Sequence, residues 1–111
     1  MMNAKLFRGS LDTIIIKLLS DNKEMYGYEI TQKVKTLTEG EFKITEGALY
    51  PALHRLEAKG LLETQTKSIG NRFRKYYRLT DSGQTEVNAF LEEMDQFIQT
   101  MQLLMQPKLA K

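Results

Sequence analysis

The stretch TEGALYPALHRLEAKGLLETQTKSIGNRFRKYYRL, residues 45–79, decides the fold. It predicts a helix, a tight turn and two strands joined by a basic loop. Leu49, Leu53 and Leu56 recur at i, i+4 and i+7, with Ala52 beside them, so one helix face is apolar and turned inward. Thr45 is placed to cap the first turn, because its hydroxyl oxygen accepts a bond from a free backbone N–H there. The opposite face carries Gly47, Pro51, His54 and Ala58, edged by Tyr50 and Arg55. That face is small, flat and rimmed with hydrogen-bonding groups, a shape that can lie close against a DNA groove. Pro51 is inside the helix, where its ring crowds the carbonyl four residues back. The residue there is Gly47, which leaves the backbone the most room to adjust. Gly60 suits the left-handed residue that ends a helix.

Past Gly60 the apolar period changes to alternation. Leu61 to Lys67 and Arg72 to Leu79 read as paired strands, with Ser68-Ile69-Gly70-Asn71 as the turn. On the second strand Phe73, Lys75, Tyr77 and Leu79 share one face, and Arg72, Arg74, Tyr76 and Arg78 share the other. A helix followed by a hairpin with a cationic tip is the layout of a winged helix. The hairpin is then the wing that lies along a phosphate backbone.

Two more helices precede this unit. Ser10 is placed to cap the first, whose Leu11, Ile14, Ile15, Leu18 and Leu19 form an inward stripe. Asp12 near its start suits the helix dipole. The second runs from about Tyr26 to Thr38, with Tyr26, Ile30, Val34 and Leu37 on one face, and Glu39-Gly40 ends it. Gly27 near its start permits close approach of a neighbour. Glu41 to Ile44 is an extended link and a candidate third strand at the wing's edge. After the wing, Thr80 or Asp81 caps the longest helix, which runs to about Gln106 before Pro107. Its Val87, Phe90, Met94, Phe97, Met101 and Leu104 alternate spacings of three and four over three heptads. Leu91, Ile98 and Met105 widen the stripe.

The fold class is therefore mainly α with a small β-hairpin: a winged helix-turn-helix over residues 1–79, a C-terminal dimerisation helix over 80–106 and a tail over 107–111. An apolar face this long exceeds what a three-helix winged unit can cover, so it predicts a homodimer seam, with Leu11 and Ile15 of the first helix beside it.

Composition excludes several classes. The chain of 111 residues has no cysteine, so disulfides and thiolate metal sites are impossible, which agrees with a cytoplasmic location. There is no signal-peptide pattern, and Ile14-Ile15-Ile16 is far too short to span a bilayer. His54 is the single histidine, with no catalytic motif and no metal-ligand spacing around it. The expectation is no enzyme, no cofactor and no membrane association. The net charge is only +2, but residues 43–78 hold eight basic and three acidic residues, net +5, while residues 79–111 are net −3. Positive charge concentrated on the exposed helix and the wing is what neutralising DNA phosphates requires.

GALYPALHRLEAKGLLE at 47–63 and RKYYRLTDSG at 74–83 resemble the two signature blocks of the PadR family of transcriptional regulators, and Gly27-Tyr28-Glu29-Ile30 resembles its second-helix motif. The resemblance spans about Leu6 to Met105, and the single C-terminal helix is similar to the short subfamily. It implies a repressor that binds palindromic double-stranded DNA as a homodimer through its last helix. Gly47, Tyr50, Pro51 and His54 would then lie nearest the bases, with Thr45, Tyr50, Arg55, Arg72, Arg74 and Lys75 at phosphates. Tyr50 has a second reading, in which its ring packs under the wing. The resemblance also implies a small apolar or aromatic effector held between subunits, near Phe7, Leu11, Ile15, Phe90, Met94 and Phe97. No tryptophan is present to stack on a planar cationic drug. The alternative is a winged-helix module that grips a protein instead of DNA.

Overall fold

A computed structural model of the protein describes residues 10–106. Among these, α1 spans Leu11–Asp21, β1 Met25–Tyr26, α2 Gly27–Leu37, α3 Glu46–Ala58, β2 Leu62–Ile69, β3 Arg72–Leu79 and α4 Asp81–Met105. This is a winged helix-turn-helix followed by a long C-terminal helix. No helix among the described residues is long and apolar enough to cross a membrane.

Helix α1 is the centre of the unit, because α3, α4 and β3 all pack against it. That enclosure explains why Ile16 is fully buried although a single inward stripe leaves it out, while Ile14 is only half-buried. Ser10 precedes α1 without making the expected side-chain cap bond. Helix α2 starts one residue later than its periodicity suggests. Tyr26 is outside it, and its N–H donates to the Glu29 carboxylate at 3.0 Å, which satisfies a free donor of the first turn. Ile30 and Val34 face the core, but Leu37, expected on the same face, is 63% exposed at the helix end.

The third strand is not Glu41 to Ile44. That link has no ladder pairing and is anchored instead by the buried Ile44 and by the Phe42 N–H bonded to Thr38 Oγ1 at 3.1 Å. The strand is β1, and the sheet order is β1-β3-β2, all antiparallel. Met25 pairs with Tyr77 and Tyr26 with Tyr76. The β2–β3 register runs from Leu62 opposite Leu79 to Ile69 opposite Arg72, so the turn is the two residues Gly70-Asn71; β3 has the predicted bounds, and β2 reaches two residues further toward the turn.

The inward face of α3 is as its spacing requires: Leu49, Ala52, Leu53 and Leu56 are all essentially inaccessible. Thr45 Oγ1 accepts from the Ala48 N–H at 3.2 Å, and α3 is continuous through Pro51. Helix α4 is joined tightly to the end of α3. Thr80 Oγ1 donates to the Gly60 carbonyl at 2.6 Å and accepts from the Gly83 N–H at 3.0 Å, and the Thr80 N–H reaches the Leu61 carbonyl at 3.0 Å. Any side chain at Gly83 would collide with that Leu61 carbonyl oxygen, so glycine is required for α4 to start here.

Candidate nucleic-acid interface

Because α3 buries its leucines, the outer positions Gly47, Pro51, His54 and Ala58 are exposed, and with Ala48 they form a low surface. Tyr50 is 39% exposed at its edge. Its hydroxyl lies over Gly27, 2.6 Å from where a Cβ on that residue would be, so the ring packs on the start of α2. Gly27 therefore sets the height of Tyr50, leaving one side of the ring to solvent. Arg55 has a partner in the protein: its guanidinium donates to Asp12 of α1 at 2.9 Å.

The wing's solvent face carries a cluster that sequence reasoning missed. Tyr26 and Tyr76 meet edge to face with centroids 5.5 Å apart. The Arg74 guanidinium lies 4.1 Å from the Tyr26 ring centroid, and Lys67 Nζ 4.7 Å from that of Tyr76. Lys67 also donates to Glu24 at 2.6 Å. Hydrogen bonding with the Tyr76 side chain holds the Arg74 guanidinium pKa above its ordinary value, with Tyr26, Tyr76 and Glu29 adding favourable charge interactions. These cation–ring contacts stiffen the hairpin between its root and its turn. Arg78 pairs with Glu63 across β2 and β3 at 2.7 Å.

These pairings reduce the charge the sequence suggested. Among the eight basic residues of 43–78, Arg55, Lys67 and Arg78 are ion-paired and Arg74 rests on a tyrosine. Lys43, Lys59, Arg72 and Lys75 are exposed and make no ion pair among the described residues. Arg72 is next to the hairpin turn, and Lys75 lies 5.4 Å from the Tyr77 ring centroid. The exposed surface thus combines the outer face of α3 with a wing cationic at its tip and tied down at its root.

Residues 15–89 match the transcriptional regulator PadR-like family. The chain belongs to that family. It is 37% identical over 90 residues to a transcriptional regulator of Mycobacterium tuberculosis, covering 78% of this chain and 80% of that one. Its fold matches a transcriptional regulator from Clostridium thermocellum with a TM-score of 0.85 and 29% identity, over 96% of this chain and 100% of the other. It also matches Bacillus subtilis PadR, solved in complex with operator DNA, with a TM-score of 0.66 and 32% identity, over 73% of this chain and 45% of that longer one. PadR-like proteins are regulators of transcription and not enzymes.

Two further surfaces of this PadR-like chain are apolar. On α4 the stripe divides. Val87 is inaccessible and Phe90, Leu91 and Met94 are half-buried, but Phe97, Ile98, Leu104 and Met105 are 47–71% exposed. Leu11 and Ile15 are buried inside the protomer as well. Leu11, Ile15 and Val87 therefore have no appreciable surface to offer a partner, and the residues available to a seam are those from Phe90 onward. A cleft of about 400 Å³ lies between α1, α2 and α4 and is lined by Ile14, Leu18, Val34, Phe42, Leu91 and Met94, with others at its rim. Of the described residues predicted for an effector site, Met94 alone lines it. Phe90 borders a separate cleft of about 190 Å³ with Asp12, Leu56 and Glu86, and Phe7 lies outside the described residues.

Proposed function

We propose that this chain is a repressor that binds palindromic operator DNA as a homodimer. The observation that carries the reading is the low, exposed outer face of α3 standing beside a rigid wing with free cations at its tip. The outer face of α3 enters the major groove, with Gly47, Pro51 and His54 nearest the base edges and the Tyr50 hydroxyl at the rim. Thr45 and the start of α3 meet a phosphate, as helix N-termini do. Arg72, Lys75 and Arg74 hold the wing against the backbone. Arg55 exchanges Asp12 for a phosphate at small cost, since an exposed ion pair contributes at most about 1 kcal/mol. Most of these contacts position the protein without reading sequence, which leaves discrimination to His54, Tyr50 and the deformability of the duplex.

The dimer follows from the size of one unit. A single DNA-binding module buries about 600–1,000 Å², and specific sites are usually held by two modules about one helical turn apart. The exposed half of α4 is the surface long and apolar enough to join them. Release follows when an apolar effector enters the cleft beside Ile14, Leu91 and Met94 and shifts α4 against α1. That the Bacillus subtilis relative is described with operator DNA supports the reading.

Titration of a fluorescent duplex against salt is the test. Counting Arg72, Arg74 and Lys75 of each wing gives about six phosphate contacts per dimer. Affinity should then fall ~10³-fold between 50 and 200 mM salt. A flat response would remove DNA as the partner and favour a protein-binding module.

A further inference from the structure

Phe73 is 80% exposed, the most exposed large apolar residue among those described. It is the second residue past the Gly70-Asn71 turn, directly opposite Ser68. Serine is too small to cover a phenyl ring across the ladder, so the strand pairing does not explain why an aromatic stands here. Phe73 shares a face of β3 with Tyr77, whose side chain is in the core. Four residues of strand, roughly 13 Å, place it well beyond that core. The cluster of Tyr26, Tyr76, Arg74, Lys67 and Glu24 fixes the direction in which the hairpin carries it. The ring is thus presented, rigidly and uncovered, at the end of the most basic segment of the chain.

We propose that Phe73 is an apolar reader of the minor groove: as the flanking cations seat the wing on the phosphates, its ring enters the groove and packs against sugars and base edges. This rests on the DNA-binding reading above and adds a specificity element to it. In residues 66–75 Lys67 is neutralised by Glu24, but Arg72, Arg74 and Lys75 make no ion pair among the described residues and no acidic residue lies in the segment, so this tip stays positive, is repelled by a second copy of itself and is drawn to a polyanion. A phosphate backbone gives a bare phenyl ring no favourable contact. The apolar surface of a duplex within reach of a phosphate-bound tip is the sugar-lined wall and floor of the minor groove, where inserted Phe and Leu side chains unstack and bend DNA. The guanine amino group projects into that groove and obstructs the ring, whereas pyrimidine–purine steps such as TA open easily. Phe73 therefore selects A·T-rich, flexible steps flanking the segment that α3 reads.

The experiment selects binding sites from a randomised duplex pool with wild type, Phe73→Ala and Phe73→Leu, then measures affinity, salt slope, DNA bending by end-to-end energy transfer, and sedimentation without DNA. The wild type should enrich A·T and TA steps on both flanks of its half-sites. Phe73→Ala should lose that enrichment, bind the wild-type site about 10-fold more weakly and bend it less, with an unchanged salt slope because no phosphate contact is removed. Phe73→Leu should keep most of the bend. Phe73→Ala with unchanged flank preference and affinity within twofold of wild type would overturn the proposal while DNA binding itself stood. A change in sedimentation of the free protein would overturn it in favour of a subunit contact. Wild-type protein that bound no duplex would remove the underlying reading and this one with it.

Discussion

Val87 is completely inaccessible, whereas Phe97, ten residues further along the same helix and in the same apolar stripe, is 60% exposed. The contrast recurs on β3, where Tyr77 is 3% exposed and Phe73, four residues back on the same face, is 80% exposed. In both elements one face runs from the protomer's core out into solvent, continuously apolar on α4 and interrupted by Lys75 on β3. The pattern therefore specifies which face is apolar but not what covers it. The covering is decided by where neighbouring elements stop: α1 lies against the first half of α4, and the three-stranded sheet is anchored to the helices only near the wing's root. The inner halves serve folding. The outer halves, on this account, serve partners: a second subunit for α4 and a duplex for the wing.

The largest effect should come from the inner half of α4. Val87→Asp places a charge in the core with no counter-ion nearby, and an uncompensated buried charge costs about 3–5 kcal/mol. Total stability of a domain this size is only about 5–15 kcal/mol, so the variant should be largely unfolded by circular dichroism at 37 °C. A Val87→Asp protein that melts like the wild type would show that the inner half of α4 is detachable.

Phe97→Glu should act on the outer half alone. The ring is exposed in the protomer, so the fold and its far-ultraviolet spectrum should be unchanged. If Phe97 is in a subunit seam, the two copies together should weaken the dimer by at least ~2 kcal/mol, more than tenfold in dissociation constant, visible as monomer in sedimentation. Affinity for a palindrome should fall with it. A Phe97→Glu dimer as tight as the wild type would place the subunit contact elsewhere. Unfolding of this variant would erase the distinction between the two halves.

Arg72→Ala tests the outer half of the wing and should be milder. Arg72 is exposed with no ion pair among the described residues, so folding stability should change by less than about 0.5 kcal/mol. Each dimer loses two phosphate contacts, which should make the slope of log K against log salt shallower by about two. Binding should weaken for all sequences alike, in contrast with His54→Ala, whose position on the base-facing side predicts a changed site preference. An unaltered slope for Arg72→Ala would detach the wing tip from DNA.

Periodicity made much of this legible in advance. Leu49, Leu53 and Leu56 have one solution, an inward helix face, and the alternation in residues 72–79 has one, a half-buried strand. Strand β1 was not legible, because Met25 and Tyr26 are too few to show alternation and form a strand only where β3 offers an open edge. The ion pairs were hidden for a different reason. Asp12–Arg55 and Glu24–Lys67 each join residues 43 apart in sequence, and a charge count cannot reveal which cations are already neutralised. The same holds for Tyr50, whose place over Gly27 depends on how α2 and α3 cross. Gly83 stands in a recognisable block, but its collision with the Leu61 carbonyl exists only once α4 has folded back.

The smallest effect should appear at the inner end of β3. Burial, chiefly, raises the Tyr77 phenol pKa above its ordinary value of 10.0, and the nearby charges of Glu57 and Tyr50 raise it further. Below pH 10 the phenol is protonated in both folded and unfolded chains, and its contribution to stability is fully present. As pH rises past 10, the unfolded chain releases the proton while the folded one retains it. The folded state then binds more protons, so stability falls with rising pH until the folded group also ionises. Tyr77→Phe has no proton to lose. Its melting temperature should follow the wild type's with a constant offset from about pH 8 to about pH 10, then decline less steeply above it. Every other residue is common to both proteins, so the difference between the two curves isolates this one group. Phe73→Tyr is the matching control at the outer end of the strand. A phenol placed there is bathed in water and should leave the alkaline limb where it was. Parallel limbs for Tyr77→Phe and wild type would mean that the inner end of β3 is wetter than its burial indicates, and that the contrast along this strand is shallower than drawn.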